Sequence, residues 1–245
     1  MTGWLTNMIH TKNLASCQQG FSLVELTIVL VIVALLSSGL MFGLSAQRDA
    51  AANQDVQRQL DNTKEALLGF AMTNGRLPCP ANPTLVSTSI GAGLENCAAQ
   101  PTGHGVLPWA TLGLPETDPW GQRLTYFAST KFTSNVVAGA LCAFTMETGV
   151  APDNAGTANV KLTSASGSNI ASDLAAVIVS HGAQGVGGYT TDGTKIAGAV
   201  GDEDENADAD LTFVAHTPTT DFNDQLAWIT PAQLKTRMVA VGKLP

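Results

Sequence analysis

The sequence predicts an α+β protein in which one long N-terminal helix packs on an antiparallel β-sheet head. Three observations carry that expectation. Residues 26–46 hold no charged side chain and are mostly Leu, Val, Ile, Ala, Met and Phe. Residues 47–73 hold no proline and a single glycine, Gly69. They place Val56, Leu60, Leu67, Phe70 and Ala71 at three- and four-residue spacings, which is one apolar helix face. Beyond residue 75, short β-prone segments alternate with stretches rich in turn formers. A helix followed by antiparallel strands is an α+β arrangement.

The apolar run comes first. A helix rises about 1.5 Å per residue, so about 20 apolar residues cross the hydrocarbon core of a bilayer. Residues 21–46 therefore read as a transmembrane half of the long helix. Glu25 is the lone acid in that half, and an ionised carboxylate there costs about 2.5–3.5 kcal/mol. It needs a partner. A cut after Gly20 would put a positively charged amino terminus on Phe21, one helical turn from Glu25, on the same chain or on a neighbour. Lys12 precedes the run, which orients the part that follows it away from the cytoplasm.

Gly20-Phe21-Ser22-Leu23-Val24-Glu25-Leu26-Thr27 resembles the prepilin-peptidase site of type IV pilins and type II secretion pseudopilins. The resemblance implies cleavage after Gly20, methylation of Phe21 and a role for Glu25 in docking subunits into a filament. It also implies a pilin-like head held in the periplasm by a single pass through the bacterial inner membrane. Its partners would be prepilin peptidase, other pilin or pseudopilin subunits and an inner-membrane assembly platform. The competing reading is a membrane-anchored envelope enzyme or binding protein whose signal anchor does not assemble.

Residues 1–20 read as the leader. They carry Lys12 but no apolar core ahead of the cut, unlike an ordinary secretory signal. Met8 is an alternative start. Leu14-Ala15-Ser16-Cys17 mimics a lipoprotein cleavage box, but residues 4–13 are not an apolar run. Within the membrane half there is no proline. Gly39 and Gly43 form a small-xxx-small pair that permits close helix packing, or are ordinary glycines of a membrane helix. The long helix, residues 21–75, stops at Asn74-Gly75 with Pro78 beyond.

The head spans residues 76–245, enough chain for one domain with a real core. Residues 76–122 read as irregular structure, with Trp109 and Trp120 packing the loops onto the helix. Asp118-Pro119-Trp120-Gly121, followed by Leu124 and Tyr126, is similar to the segment entering the sheet of major pseudopilins. Strands are expected at 122–128, 136–146, 175–180 and 211–215, with a weaker one at 159–162. The stretches 147–173 and 181–210 read as long loops. Residues 231–241, with Pro231 in the first turn and Leu234, Met238 and Val241 on one face, read as a terminal helix.

Past the leader, cysteines stand at 79, 97 and 142. An exported setting permits a disulfide, and Cys79 with Cys97 closes the shortest loop. Such a closure stabilises by about 3 kcal/mol in the chain-entropy model. Cys142 reads as a buried free thiol. Many surface pilins close a C-terminal loop with a disulfide, and no cysteine follows Cys142 here, which favours a pseudopilin or minor pilin.

Asp202, Asp204, Asp208 and Asp210 lie in an acidic stretch behind a glycine-rich loop, and carboxylates at short spacing suit Ca²⁺. The major pseudopilins that the head resembles hold calcium in a late loop, so these four are candidate ligands. A turn glycine is missing at Ala207, and a solvated acidic loop is the alternative. No other cofactor is expected. Ser180 and His181 are adjacent rather than brought together by the fold, and no serine elbow or zinc spacing is present. Catalysis is therefore not expected. The net charge of −8 disfavours direct nucleic-acid binding.

Overall fold

The computed structural model describes residues 20–98, 100, 102–165 and 167–244, together with the side chains of these residues except 38–47. The expected leader, including Met8, Lys12 and Cys17, and the side-chain surroundings of Gly39 and Gly43 lie outside the described residues. Helix α1 runs from Leu23 to Asn74 as 52 residues without a proline. Glu25 sits in its first turn, where the helix dipole favours negative charge. The stop is steric. Gly75 follows at φ +76°, and a Cβ there would lie 2.5 Å from the Leu141 carbonyl oxygen.

Contacts divide the chain into two units, one ending at Asp49 and one comprising Ala50–Pro245. In the first, the large apolar side chains of Leu23 to Leu36 are exposed on every side of the helix. Among the described residues no helix is long and apolar enough to cross a membrane. The span expected at 21–46 includes residues 38–46, whose side chains are not described. The described apolar part, 23–37, rises only about 22 Å against about 30 Å of hydrocarbon.

The second unit contains the rest of α1 and the head. Its strands are β1 (His104–Val106), β2 (Thr125–Ala128), β3 (Ala158–Lys161), β4 (Asn169–Leu174), β5 (Ala176–Ser180), β6 (Thr212–Val214) and β7 (Gln225–Ile229). Short helices α2 (Trp109–Leu112), α3 (Thr130–Thr133) and α4 (Asp202–Glu205) interrupt them, and α5 (Pro231–Ala240) closes the fold. One sheet has the order β1-β2-β5-β7 and is antiparallel throughout. The other has the order β4-β3-β6, with β3 parallel to β6.

Strand β5 shows why the layers form. All five of its residues are buried, and the first four, Ala176 to Val179, read as a continuous apolar run rather than an alternation. Ala176 and Ile178 pack with Val56, Leu60, Leu67 and Met238 on the helical side. Val177 and Val179 face Phe127, Val160 and Phe213 of the opposite cluster. Each fully buried Val or Ile contributes about 1.5–3 kcal/mol. The β7 edge is covered by polar contacts with α1. Gln57 Nε2 donates to Gln225 Oε1 at 2.6 Å, and Gln225 Nε2 donates to Asn53 Oδ1 at 2.6 Å.

The α1 face matches the expectation at Val56, Leu60, Leu67 and Ala71, and adds Thr63 and Leu68. Phe70 is only half-buried, with the Arg76 guanidinium 5.6 Å from its ring centre. Helix α5 begins at a capping box. The Thr230 hydroxyl accepts from Gln233 N, and the Gln233 side chain accepts from Thr230 N, each at 3.2 Å. Leu234 and Met238 are buried, whereas Val241 is an exposed C-cap.

Several strand expectations are corrected. Residues 136–146 form turns, with Gly139 at φ +88° and Val137 and Leu141 exposed. Only Phe144 of this stretch is buried, edge-on to Phe132 at 5.1 Å. Cys142 is consequently a half-buried free thiol in a loop, and burial pushes it above the usual thiol range. Strands β1 and β7 fall outside the segments that read as strands in the sequence, and β4 lies within the stretch 147–173 that reads as a loop. The loop 181–210 contains the short helix α4, and the parallel β3–β6 pair departs from a wholly antiparallel head.

Candidate functional site

Gly20, Phe21 and Ser22 lead into α1 without helical structure, and all three are exposed. A Cβ built on Gly20 meets nothing within 4 Å. Phe21 is 83% exposed. Leu26 N donates to the Ser22 carbonyl at 3.1 Å, which starts the helix, and the Thr27 hydroxyl donates back to the Val24 carbonyl at 2.8 Å. Glu25 is exposed. The segment therefore presents an open peptide bond after a glycine, an aromatic residue, and one carboxylate on an otherwise apolar helix.

Residues 15–41 match the family model described as the prokaryotic N-terminal methylation motif. This is the type IV pilin and pseudopilin signal motif. Within it stand Gly20, Phe21 and Glu25, the residues singled out for processing and assembly. The motif supports a pilin-like precursor processed by prepilin peptidase, an envelope protein anchored at a membrane. No curated protein and no solved structure matches the chain.

In the head, Cys79 and Cys97 are joined as a disulfide, with their Cα atoms 5.0 Å apart. The bridge flanks a fork in which Arg76 donates to both oxygens of Glu95 at 2.8 Å, while Cys79 N donates to Glu95 Oε2 at 3.0 Å. Burial opposes ionisation of Glu95 most strongly, but the Arg76 fork and the Cys79 N–H hold its carboxyl below the usual range. Cys79, Glu95 and Cys97 form the only cluster of three ligand-type side chains among the described residues. Both sulfurs are spent in the disulfide, so this is not a thiolate metal site.

The acidic residues of the calcium expectation lie near one another, and burial, followed by the charges of Asp210 and Asp204, raises the Asp208 carboxyl. Asp202 Oδ1 accepts from Ser164 N at 2.7 Å and from the Ser164 hydroxyl at 2.5 Å, and its Oδ2 faces His216 Nε2 at 3.2 Å. Asp208 accepts from Asp210 N and Asp210 from Thr212 N, so both side chains hold local turns. Asp204 is exposed on α4. A Ca²⁺ shell needs six to eight converging oxygens, and among the described residues no three of these carboxylates bring oxygens to one point.

Asp118 of the Asp-Pro-Trp-Gly turn accepts from the N–H of Trp120 and of Gln122 at 3.0 Å, and from the Ser180 hydroxyl at 2.7 Å. Burial outweighs these bonds and raises its carboxyl. Ser180 and His181 do not pair with each other. His181 Nε2 is hydrogen-bonded to Thr125 Oγ1 at 2.8 Å, and its Nδ1 lies 3.5 Å from Asp224 Oδ1. Asn206 Nδ2 donates to Asp224 Oδ2 at 2.9 Å and to the Val214 carbonyl at 3.0 Å. Thr125, His181, Asn206 and Asp224 are dispersed along the chain, and no local motif signals their meeting.

Arg123 is fully buried. It donates to Glu116 Oε1, to the carbonyls of Pro83 and Thr191 and to Ser87 Oγ, and its guanidinium carbon lies 4.8 Å from the Trp109 ring centre. Trp109 packs with Ala81 and Val106 rather than onto α1, whereas half-buried Trp120 packs against the helical-side core.

His104 lies tilted against Phe127 at 4.7 Å, and burial pushes its imidazole down to about 4, against an opposing pull from Asp210. Unfolded His104 protonates near pH 6.5. Between pH 6.5 and about 4 the unfolded state thus binds more protons, and stability falls as pH falls through that window. The contribution is complete above pH 6.5. Allowing for partial exposure, it is on the order of 1–2 kcal/mol. Urea midpoints of the parent should fall further than those of His104→Phe between pH 7 and 4.5; parallel profiles would contradict this.

Proposed function

We propose that the chain is a pilin-like structural subunit, a pseudopilin or minor pilin of a type II secretion pseudopilus or type IV pilus. Prepilin peptidase cuts after Gly20 and Phe21 becomes the methylated amino terminus. Residues 21–46 hold the processed subunit in the inner membrane, with the head in the periplasm, until an assembly platform extracts it. The helix then packs against those of neighbouring subunits.

The observation that carries this reading is the exposed start of α1, apolar but for Glu25 and Thr27, directly behind the accessible Gly20–Phe21 bond. Leu23, Val24, Ile28 and Leu30 are each more than half exposed, and apolar surface of that extent calls for lipid or other helices around it. Glu25 is the one group in that surface that can set axial register, by pairing with the charged amino terminus of an adjacent subunit. Co-expression with prepilin peptidase should convert the chain to a methylated species beginning at Phe21. Gly20→Ala should still be cut and Gly20→Leu should not. A parent chain that stays uncut would refute the processing step.

A further inference from the structure

A cavity of about 200 Å³ lies among β1, β2, the loop ending at Tyr189 and the segment from Asn206 to Phe213. We propose that it binds a single uncharged, polyhydroxylated ring, a neutral monosaccharide unit. This inference stands apart from filament assembly and uses none of the residues of the processing motif.

Size is the first argument. Pockets for drug-sized ligands run about 300–1,000 Å³, so this one has room for one ring. Charge is the second. None of the lining side chains is an acid, a lysine or an arginine, and His104 is held neutral by its burial. Asp210 lies near His104, which turns anions away.

The third argument is the pattern of polar groups. Gln100, Thr102, His104 and Tyr189 line the cavity, and their side-chain polar groups have no hydrogen-bond partner among the described residues. Asn206, in contrast, is fixed. Its amide oxygen accepts from Val214 N at 2.8 Å, and its amide nitrogen is spent on Val214 and Asp224. The lining thus combines one fixed amide with several free donors and acceptors. Phe213, Tyr189 and His104 bring aromatic rings to the lining. A sugar ring offers C–H faces to such rings and hydroxyls to such donors and acceptors.

Saturation-transfer NMR on the full chain in a detergent without sugar headgroups tests this, with glucose, galactose, N-acetylglucosamine and glucuronate as probes. At least one neutral sugar should bind with a Kd on the order of 1 mM, as expected for so small a ligand. Tyr189→Phe should weaken it several-fold, Gln100→Ala with Tyr189→Ala at least tenfold, and glucuronate should bind at least tenfold more weakly than the best neutral sugar. Near-UV circular dichroism establishes that the variants fold, and the single hydroxyl deletion serves if the double variant does not. No neutral sugar bound at about 50 mM, affinity untouched by the variants, or glucuronate bound equally well would each overturn the proposal.

Discussion

Glu25→Ala should leave cleavage and methylation intact while removing the subunit from filaments. Cutting the chain does not require the carboxylate, because the scissile bond lies at Gly20, one helical turn away. The proposed assembly does require it. Once the apolar surface of α1 is enclosed by neighbouring helices, the charged amino terminus of an adjacent Phe21 lies in a low dielectric. Removing its partner costs about 3–5 kcal/mol. That corresponds to a loss of incorporation of more than about a hundredfold. Glu25→Gln should fail almost as badly, since the amide carries no charge. Quantifying processed protein in sheared filaments checks both, and normal incorporation of either variant would refute the register role.

Arg123→Met should produce the largest loss of stability in the head. Its guanidinium is wholly buried and ties three segments together through Glu116, the Pro83–Ser87 loop and Thr191, with Trp109 across its face. Methionine replaces the volume but removes the charged donors of Glu116 and of the Pro83 and Thr191 carbonyls, leaving Ser87 as the donor to Glu116 and Thr191. Breaking such a pair costs about 3–5 kcal/mol, which for a head of this size lowers the melting temperature by about 10 °C. Lys131→Met is the control. Its partner Asp153 is exposed, and surface pairs contribute about 0–1 kcal/mol. Equal melting shifts for the two variants would contradict the assigned role of Arg123.

How much of this was legible in the sequence follows from where each signal is written. Helix α1 carries its own periodicity and its own stop at Asn74-Gly75, so it can be read locally. So can α5, whose Thr230-Pro231 start and Leu234 and Met238 spacing lie within one segment. Residues 136–146 are aliphatic enough to suggest a strand, yet Gly139 takes a left-handed conformation and only Phe144 finds the core. Strand β4 has the opposite character. Of Asn169 to Leu174 only Leu174 is buried, and pairing with β3 makes the segment a strand.

The functional residues divide in the same way. Gly20, Phe21 and Glu25 sit within six residues and were readable as a unit. Cys79 and Cys97 were readable because few thiols remain to pair. The acidic stretch at 202–210 was equally conspicuous, but local density of carboxylates does not make them converge, and Asp202 turns instead to Ser164 and His216. The Thr125, His181, Asn206 and Asp224 contacts and the His104 cavity exist only once β2, β5 and β6 are assembled. Their residues have no common neighbourhood in the chain.

Intact-mass analysis of the native cell's sheared filaments and remaining envelope tests the central claim most directly. A species beginning at methylated Phe21 is predicted. Its abundance in the sheared fraction marks a surface pilus subunit, and its confinement to the envelope marks a pseudopilin or scarce minor pilin. A chain left uncut before Phe21 in both fractions would contradict the account.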